Sequence, residues 1–214
     1  MSDFWPALRD VIVYGLPNTI AMSVAAMAIA VGGGFVLGVL RALRNKMLDA
    51  LVIGYVEILR GIPVLILMFL VFFGLPQLGF TAVGNLQSAI IALGLWGAAN
   101  GAEIVRGAIF SIDKGQTEAG LTLGLNWFTV MTTIVLPQAF RRMIPPFMSL
   151  FTAVVETSSL AALIPVRDVL ESVRIKTETE PSLWMPLLIA VLFIYFFINY
   201  PISLASQRLE KRLA

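Results

Sequence analysis

The sequence predicts an all-α integral membrane protein, and three observations carry this prediction. Apolar residues make up 58% of the 214 residues and charged residues only 13%, against about 45–50% and about 25% in a typical globular domain. Five apolar stretches are each long enough to cross a bilayer as a helix, which takes about 20 residues. The stretches are apolar on all faces, whereas the strands of a membrane barrel alternate apolar and polar residues. Buried helices of a soluble protein are disfavoured, because little polar chain remains to cover such a core.

The five stretches define five predicted spans in one transmembrane domain, residues 1–214. The first and fifth spans contain no charged residue. Glu57 and Arg60 lie inside the second, Glu103 lies near the end of the third, and Glu156 lies inside the fourth. The predicted spans cover residues 16–40, 51–74, 86–105, 143–165 and 183–205.

The basic residues predict the orientation, because cytoplasmic loops carry an excess of Lys and Arg. One side collects ten basic residues and the other collects four. The richer side is predicted to be cytoplasmic, which places the N-terminus outside and the C-terminus inside. The net charge is only +2, so the basic pI of about 9.2 reflects the loops and indicates no nucleic-acid partner. The ten residues are Arg41, Arg44, Lys46, Arg106, Lys114, Arg141, Arg142, Arg208, Lys211 and Arg212.

The composition also excludes several kinds of chemistry. Histidine and cysteine are both absent, which removes disulfides, thiol nucleophiles, Cys/His metal sites and imidazole acid–base catalysis. The phosphate-binding pattern GxxxxGK[ST] is also absent, so the chain cannot hydrolyse ATP by that route. We therefore expect a protein that is not an enzyme and that binds no metal or cofactor itself.

The cytoplasmic segment 111–138 is longer than a simple connection. Gly115 can end one helix, residues 117–123 have helical spacing, Gly124 breaks that helix, and Pro137 imposes another bend. Ala119 and Gly120 are small residues on one side, which lets another segment approach closely. A short helix held between two turns is one interpretation, and an ordinary cytoplasmic loop is the other.

The pattern Glu118-Ala119-Gly120-x3-Gly124-x9-Ile134-x-Leu136-Pro137 resembles the EAA loop of ABC-importer membrane subunits. Two further segments indicate which group of these subunits the chain resembles. The first is Tyr55–Pro63 with Phe73–Pro76, and the second is Ala102–Ile109 followed by Gly115-Gln116. Both are similar to segments of the polar amino-acid permeases, the histidine/glutamate/glutamine/arginine/opine group. The likeness covers nearly the whole chain.

The resemblance implies a coupling helix around residues 115–125, docked in a cleft of an ATPase subunit. The implied coupling residues are Gly115, Gln116, Glu118, Ala119, Gly120 and Gly124. It also implies a multi-pass protein of the bacterial cytoplasmic (inner) membrane. Its partners would be a dimer of ATPase subunits that bind ATP and Mg²⁺, a second permease subunit, an extracytoplasmic binding protein and a polar amino acid.

Charged and polar residues inside the spans are candidates for the substrate path, because burying them in a membrane is costly. Asn100 and Glu103 in the third span, and Glu156, Thr157 and Ser158 in the fourth, lie where the family makes substrate contacts. A carboxylate there could bind an ammonium group; a carboxylate satisfied by a neighbouring helix is the alternative. Asn100 stands where the family often has Tyr, and Glu156 stands where it often has Lys. The family's choice of substrate therefore cannot be carried over to this chain.

The second span offers candidates for a gate. Glu57 and Arg60 are one turn apart and can pair, and Gly61 and Pro63 can interrupt the helix. Pro145-Pro146 suggests a similar interruption in the fourth span. Two other functions stay open: a gradient-driven carrier that uses the intramembrane carboxylates, and an intramembrane enzyme that uses Glu103 and Glu156 as acid and base.

Overall fold

A computed structural model describes residues 3–43 and 45–213, and within them the chain is helical, without a strand. Arg44, counted above among the basic residues, lies outside the described residues. The described helices are α1 (Phe4–Ala42), α2 (Lys46–Gly61), α3 (Val64–Gln77), α4 (Asn85–Phe110), α5 (Lys114–Thr122), α6 (Trp127–Leu163), α7 (Val169–Thr179) and α8 (Pro181–Leu213).

Four of these helices, α1, α4, α6 and α8, are long and apolar enough to cross a membrane. The pair α2 and α3 passes the same test together but is bent by 103°. The prediction of one helix over 51–74 is therefore wrong, although the interruption expected at Gly61 and Pro63 is found. Ile62 is extended, with φ −88° and ψ 129°, because the residue before a proline is disfavoured in the helical region. Counting the bent pair once gives up to five spans.

Glycines bring α1 and α4 into backbone contact. A Cβ atom at Gly34 would lie 2.7 Å from the backbone of Gly101, and one at Gly97 would lie 2.6 Å from the Ala30 Cβ. Small-xxx-small spacings of this kind allow close helix crossings. The spacings Gly34/Gly38 and Gly97/Gly101 thus serve packing inside the chain.

The fourth span differs from its prediction in two ways. Helix α6 begins at Trp127, so the second half of the predicted loop 111–138 already belongs to the helix. The helix also continues through Pro145-Pro146, and the predicted interruption there is wrong. The fixed φ of proline is compatible with a helix, and neighbouring side chains can satisfy freed backbone groups in a membrane helix. The Pro145 carbonyl accepts a hydrogen bond from the Ser206 hydroxyl of α8 (3.0 Å).

Helix α7 packs against the N-terminal part of α1, at the end of the bundle opposite α5. The Asn18 amide donates to the Arg167 carbonyl (2.8 Å), and the Val169 N–H donates to the Thr19 hydroxyl (3.2 Å). The Asn85 amide, at the start of α4, donates to the Pro165 carbonyl (2.7 Å). The segment before α7 is therefore attached to both α1 and α4.

Candidate coupling helix and translocation cleft

Asp113 is the N-cap residue of the short helix α5. Its side chain accepts a hydrogen bond from the Gly115 N–H (2.6 Å), which satisfies one of the free donors in the first turn. Gly115 therefore lies in the first turn of α5, and the expectation that it ends the preceding helix is wrong. The preceding helix, α4, ends at Phe110.

Gly124 ends α5 as the sequence predicts. Its φ is +81°, a conformation that glycine adopts readily and other residues rarely. The Gly124 N–H donates to the Leu121 carbonyl (3.0 Å), and the Leu125 N–H donates to the Gly120 carbonyl (3.2 Å). This pair of bonds is a Schellman motif, so the helix has a defined end at both termini.

Gly120 is the buried residue of α5, and it faces the start of α6. A Cβ atom at position 120 would lie 2.7 Å from Val130 Cγ2 and 3.2 Å from Ile134 Cδ1. The glycine and the isoleucine of the EAA-like pattern are thus packing partners. Gln116, Glu118 and Ala119 are exposed, which leaves the opposite side of α5 free to meet a partner.

Arg142 of α6 forms hydrogen bonds with the segment that leads from α4 into α5. It donates to the carbonyl of Ser111 (2.6 Å) and to its hydroxyl (3.0 Å). Ser111 lies between the end of α4 and Asp113, so α6 contacts the α5 region on both sides. The sequence pattern did not indicate this role for Arg142, which contributed only to the predicted orientation. Its contact with Ser111, 31 residues earlier in the chain, depends on the fold.

Glu103 lies in a cluster of ion pairs rather than in an open path. It pairs with Arg106 on its own helix (2.7 Å) and with Arg41 at the end of α1. Arg41 also pairs with Asp49 of α2 (3.0 Å). The cluster joins α1, α2 and α4 at one end of the bundle. The alternative reading of Glu103, a carboxylate satisfied by a neighbouring helix, describes this arrangement.

Asn100 is also engaged within the protein. Its side-chain amide donates to the Trp96 carbonyl of its own helix (2.9 Å). The same holds for Thr157 and Ser158, whose hydroxyls donate to the carbonyls of Ala153 (2.6 Å) and Val155 (2.7 Å). None of these side chains lines the cleft described next.

Glu156 lies in an open cleft of about 470 Å³ between α6 and α8. It is exposed on its own spanning helix, and the Asn199 amide of α8 points to its carboxylate (3.5 Å). Asn199 is not among the predicted site residues, although a polar residue in an apolar span was a usable signal. The cleft is lined by Thr152, Glu156, Ser159, Tyr195, Phe196, Asn199, Tyr200 and Ser203.

The gate candidates are not assembled into an ion pair. Among the described residues, Glu57 takes part in no salt bridge with Arg60, and both side chains are exposed. The ion pair that the i,i+3 spacing allows is therefore not formed in this structure. Arg60 instead lies near enough to Glu103 to act on it electrostatically. Gly61 and Pro63 flank the bend between α2 and α3.

Comparison with known proteins places this geometry in a family. The family model described as "binding-protein-dependent transport system inner membrane component" matches residues 30–214 of this chain. The chain is 36% identical to the probable glutamine ABC transporter permease protein GlnP of Bacillus subtilis, over 84% of this chain and 83% of that protein. It is 32% identical to the L-cystine transport system permease protein TcyB of Bacillus subtilis, over 99% and 88% of the two chains.

A solved structure described as an amino acid ABC transporter with histidines has the same fold. Its TM-score is 0.87 at 25% identity, with 99% of this chain and 96% of that chain covered. The predicted likeness to amino-acid permeases is therefore confirmed. The chain belongs to the family of binding-protein-dependent transport system inner membrane components, and is a multi-pass inner-membrane permease subunit.

Proposed function

We propose that this chain is the transmembrane subunit of an ATP-driven importer of polar amino acids. The single observation that carries the proposal is the path of contact from α5 to the cleft. Helix α5 packs through Gly120 on the first turns of α6, and α6 continues as one helix, through a π-helical segment at Met131–Val135, to Glu156. A displacement of α5 by a partner would therefore move the wall of the cleft.

The exposed side of α5 is the proposed contact with an ATPase subunit. Gln116 and Glu118 offer polar groups there, and the caps at Asp113 and Gly124 keep the helix short and rigid. Coupling between distant sites needs such an element with defined joints. ATP and Mg²⁺ would be held by the ATPase pair, and α5 would lie on the cytoplasmic side, with the C-terminus inside and the N-terminus outside.

We propose that the cleft forms this subunit's half of the translocation path. A carboxylate exposed on a spanning helix is unstable against lipid, so the surface around Glu156 requires a covering protein or water. A second permease subunit would provide that cover and complete the path. An extracytoplasmic binding protein would deliver the amino acid, whose ammonium group could form a charge-assisted hydrogen bond with Glu156.

The substitution Gly120→Leu tests the coupling. The new side chain would clash with Val130 and tilt α5, so substrate-stimulated ATP hydrolysis and uptake should both fall about tenfold or more. Gly107→Leu is the matched control, because a Cβ atom at Gly107 meets nothing within 4 Å. The experiment uses the transporter reconstituted in vesicles with its ATPase and binding protein.

Undiminished uptake by Gly120→Leu would overturn the proposed role of α5. Uptake that follows an imposed proton gradient while ATP is absent would overturn the ATP-driven mechanism. That result would favour the gradient-driven carrier, with Glu156 as the exposed intramembrane carboxylate.

A further inference from the structure

Several buried polar side-chain atoms lack a hydrogen-bond partner within the described part of the chain. Five buried side-chain atoms of the described residues have no hydrogen-bond partner, and all belong to α1, α7 with its N-cap, or α8. Buried groups without partners are rare in proteins and need an explanation. The five atoms are Ser23 Oγ, Asp168 Oδ2, Ser172 Oγ, Tyr195 Oη and Asn199 Oδ1.

Asp168 is the charged member of this group, and its side chain is fully buried. Its Oδ1 accepts a hydrogen bond from the Glu171 N–H (2.7 Å) and thereby caps α7. Its Oδ2 has no partner among the described residues. An ionised carboxylate in this position would leave a buried negative charge with one unsatisfied oxygen, which is costly.

Two hydroxyl-bearing side chains lie on the helices near this carboxyl. Ser172 lies one turn along α7, and its Oγ would lie 2.8 Å from a Cβ atom at Gly15 of α1. The hydroxyl of Tyr195 on α8 lies near the side chains of Thr19 and Ser158 and within the electrostatic reach of Asp168. Neither hydroxyl forms a hydrogen bond with Oδ2, so neither stabilises the ionised carboxylate.

The charges around Asp168 do not compensate it. Glu171 pairs with Arg174 (2.5 Å), and its remaining charge opposes ionisation of Asp168. Arg167 stacks on the Tyr14 ring at 4.3 Å, and Lys176 pairs with Asp10. The basic side chains next to the cluster thus have other partners. Burial, followed by the Glu171 charge, raises the pKa of Asp168 to about 7.

We propose that Asp168 is a proton-binding site in which Oδ2 carries a hydrogen, because protonation removes a buried charge that no neighbouring donor or cation compensates. Loss of this proton to water leaves a buried carboxylate whose Oδ2 has no partner among the described residues. The segment before α7 hydrogen-bonds to Asn18, Thr19 and Asn85, so this loss would weaken the packing of α7 on the bundle. The site stands independently of the proposed transport function.

Infrared spectroscopy of the purified full-length chain in lipid nanodiscs tests the proton directly. A protonated buried carboxyl gives a carbonyl stretching band that an ionised one lacks. The band should be present at about pH 5, disappear with a midpoint near 7, and be absent in Asp168→Asn. Asp113→Asn is the matched control, because Asp113 is also a helix N-cap but is exposed. A wild-type spectrum without the band, or a band that persists in Asp168→Asn, would overturn the proposal.

Hydrogen exchange of α7 amides tests the consequence. Because the pKa of Asp168 is raised above 3.8 in the folded protein, the attachment is strongest below that value and weakens as the pH rises towards about 7. Protection of α7 should fall through this range in the wild type, after correction for intrinsic exchange, and should be independent of pH in Asp168→Asn. Protection that instead depends on Na⁺ or K⁺, with no carbonyl band, would show a bound cation and overturn the proton site.

Discussion

Arg142 of α6 holds Ser111, beyond the end of α4, through two hydrogen bonds of 2.6 and 3.0 Å. These bonds cross from one spanning helix to the segment that leads into α5. Together with the Gly120 contact, they join α5 to the bundle at both of its ends. On the proposed coupling role, a displacement of α5 would therefore be transmitted to α4 as well as to α6.

Arg142→Gln should weaken this connection. A hydrogen bond from a charged group contributes about 1.5–3 kcal/mol, and this one is exposed, so the expected loss of substrate-stimulated ATP hydrolysis is about threefold to tenfold. Arg141→Gln is the control, because the neighbouring arginine is exposed in the same turn. Equal effects of the two variants would contradict the role of the Ser111 contact.

Glu103→Gln should lower the thermal stability of the purified chain. The change would leave the Arg41 guanidinium, whose side chain is only 13% exposed, with Asp49 as its remaining charged partner among the described residues. Removing one member of a partly buried pair costs about 1–3 kcal/mol. Glu57→Gln, at an exposed carboxylate, should change the free energy of unfolding by less than about 0.5 kcal/mol. A stable Glu103→Gln protein that has lost only transport would instead make Glu103 a pathway residue.

Glu156→Gln should impair the handling of substrate without unfolding the protein. The carboxylate lines the cleft, and a charge-assisted hydrogen bond to an ammonium group is roughly twice as strong as a neutral one. We expect the KM for uptake to rise about tenfold, most for cationic amino acids. Thr157→Val, at a side chain that bonds its own helix, should leave the KM unchanged; a shift only in Thr157→Val would move the path elsewhere.

Gly34→Ala should separate α1 from α4. The added Cβ atom would lie 2.7 Å from the Gly101 backbone, and backbone cannot move aside as a flexible side chain can. Overpacking of this kind costs about 1–3 kcal/mol, which would appear as a lower midpoint of thermal unfolding. Gly32→Ala meets nothing within 4 Å and should be neutral or slightly stabilising.

Hydropathy and glycine or proline positions predicted much of the fold, because they act locally. Continuous apolar stretches indicated helical spans, and Gly61 with Pro63 indicated the interruption of the second one. The 103° angle of that bend could not be predicted, because it depends on how α3 packs against the rest of the bundle. Pro145-Pro146 shows the opposite error: a local helix-breaking signal was overcome by the continuous packing of α6 against its neighbours.

The candidate site was predictable only in part for the same reason. The EAA-like pattern located α5 and its final turn, but the partner of Gly120 lies at Val130, across a turn of the chain. Glu103 and Glu156 were equivalent as intramembrane carboxylates in the sequence. Only the fold distinguishes them, because Arg41 pairs with Glu103 whereas Glu156 lines an open cleft. The burial of Asp168 likewise depends on the distant residues Gly15 and Thr19.

The glycine contact between α1 and α4 has a mechanical consequence. Two helices whose backbones touch cannot slide or rotate past each other without a clash, so we expect α1 and α4 to move together as one frame of the subunit. On the proposed transport function, we expect the movement between two transport states to involve helices that pack through side chains, such as α3 and α8. Spin labels placed on α1 and α4 should keep one separation throughout the transport cycle, while a label on α8 changes its distance to both.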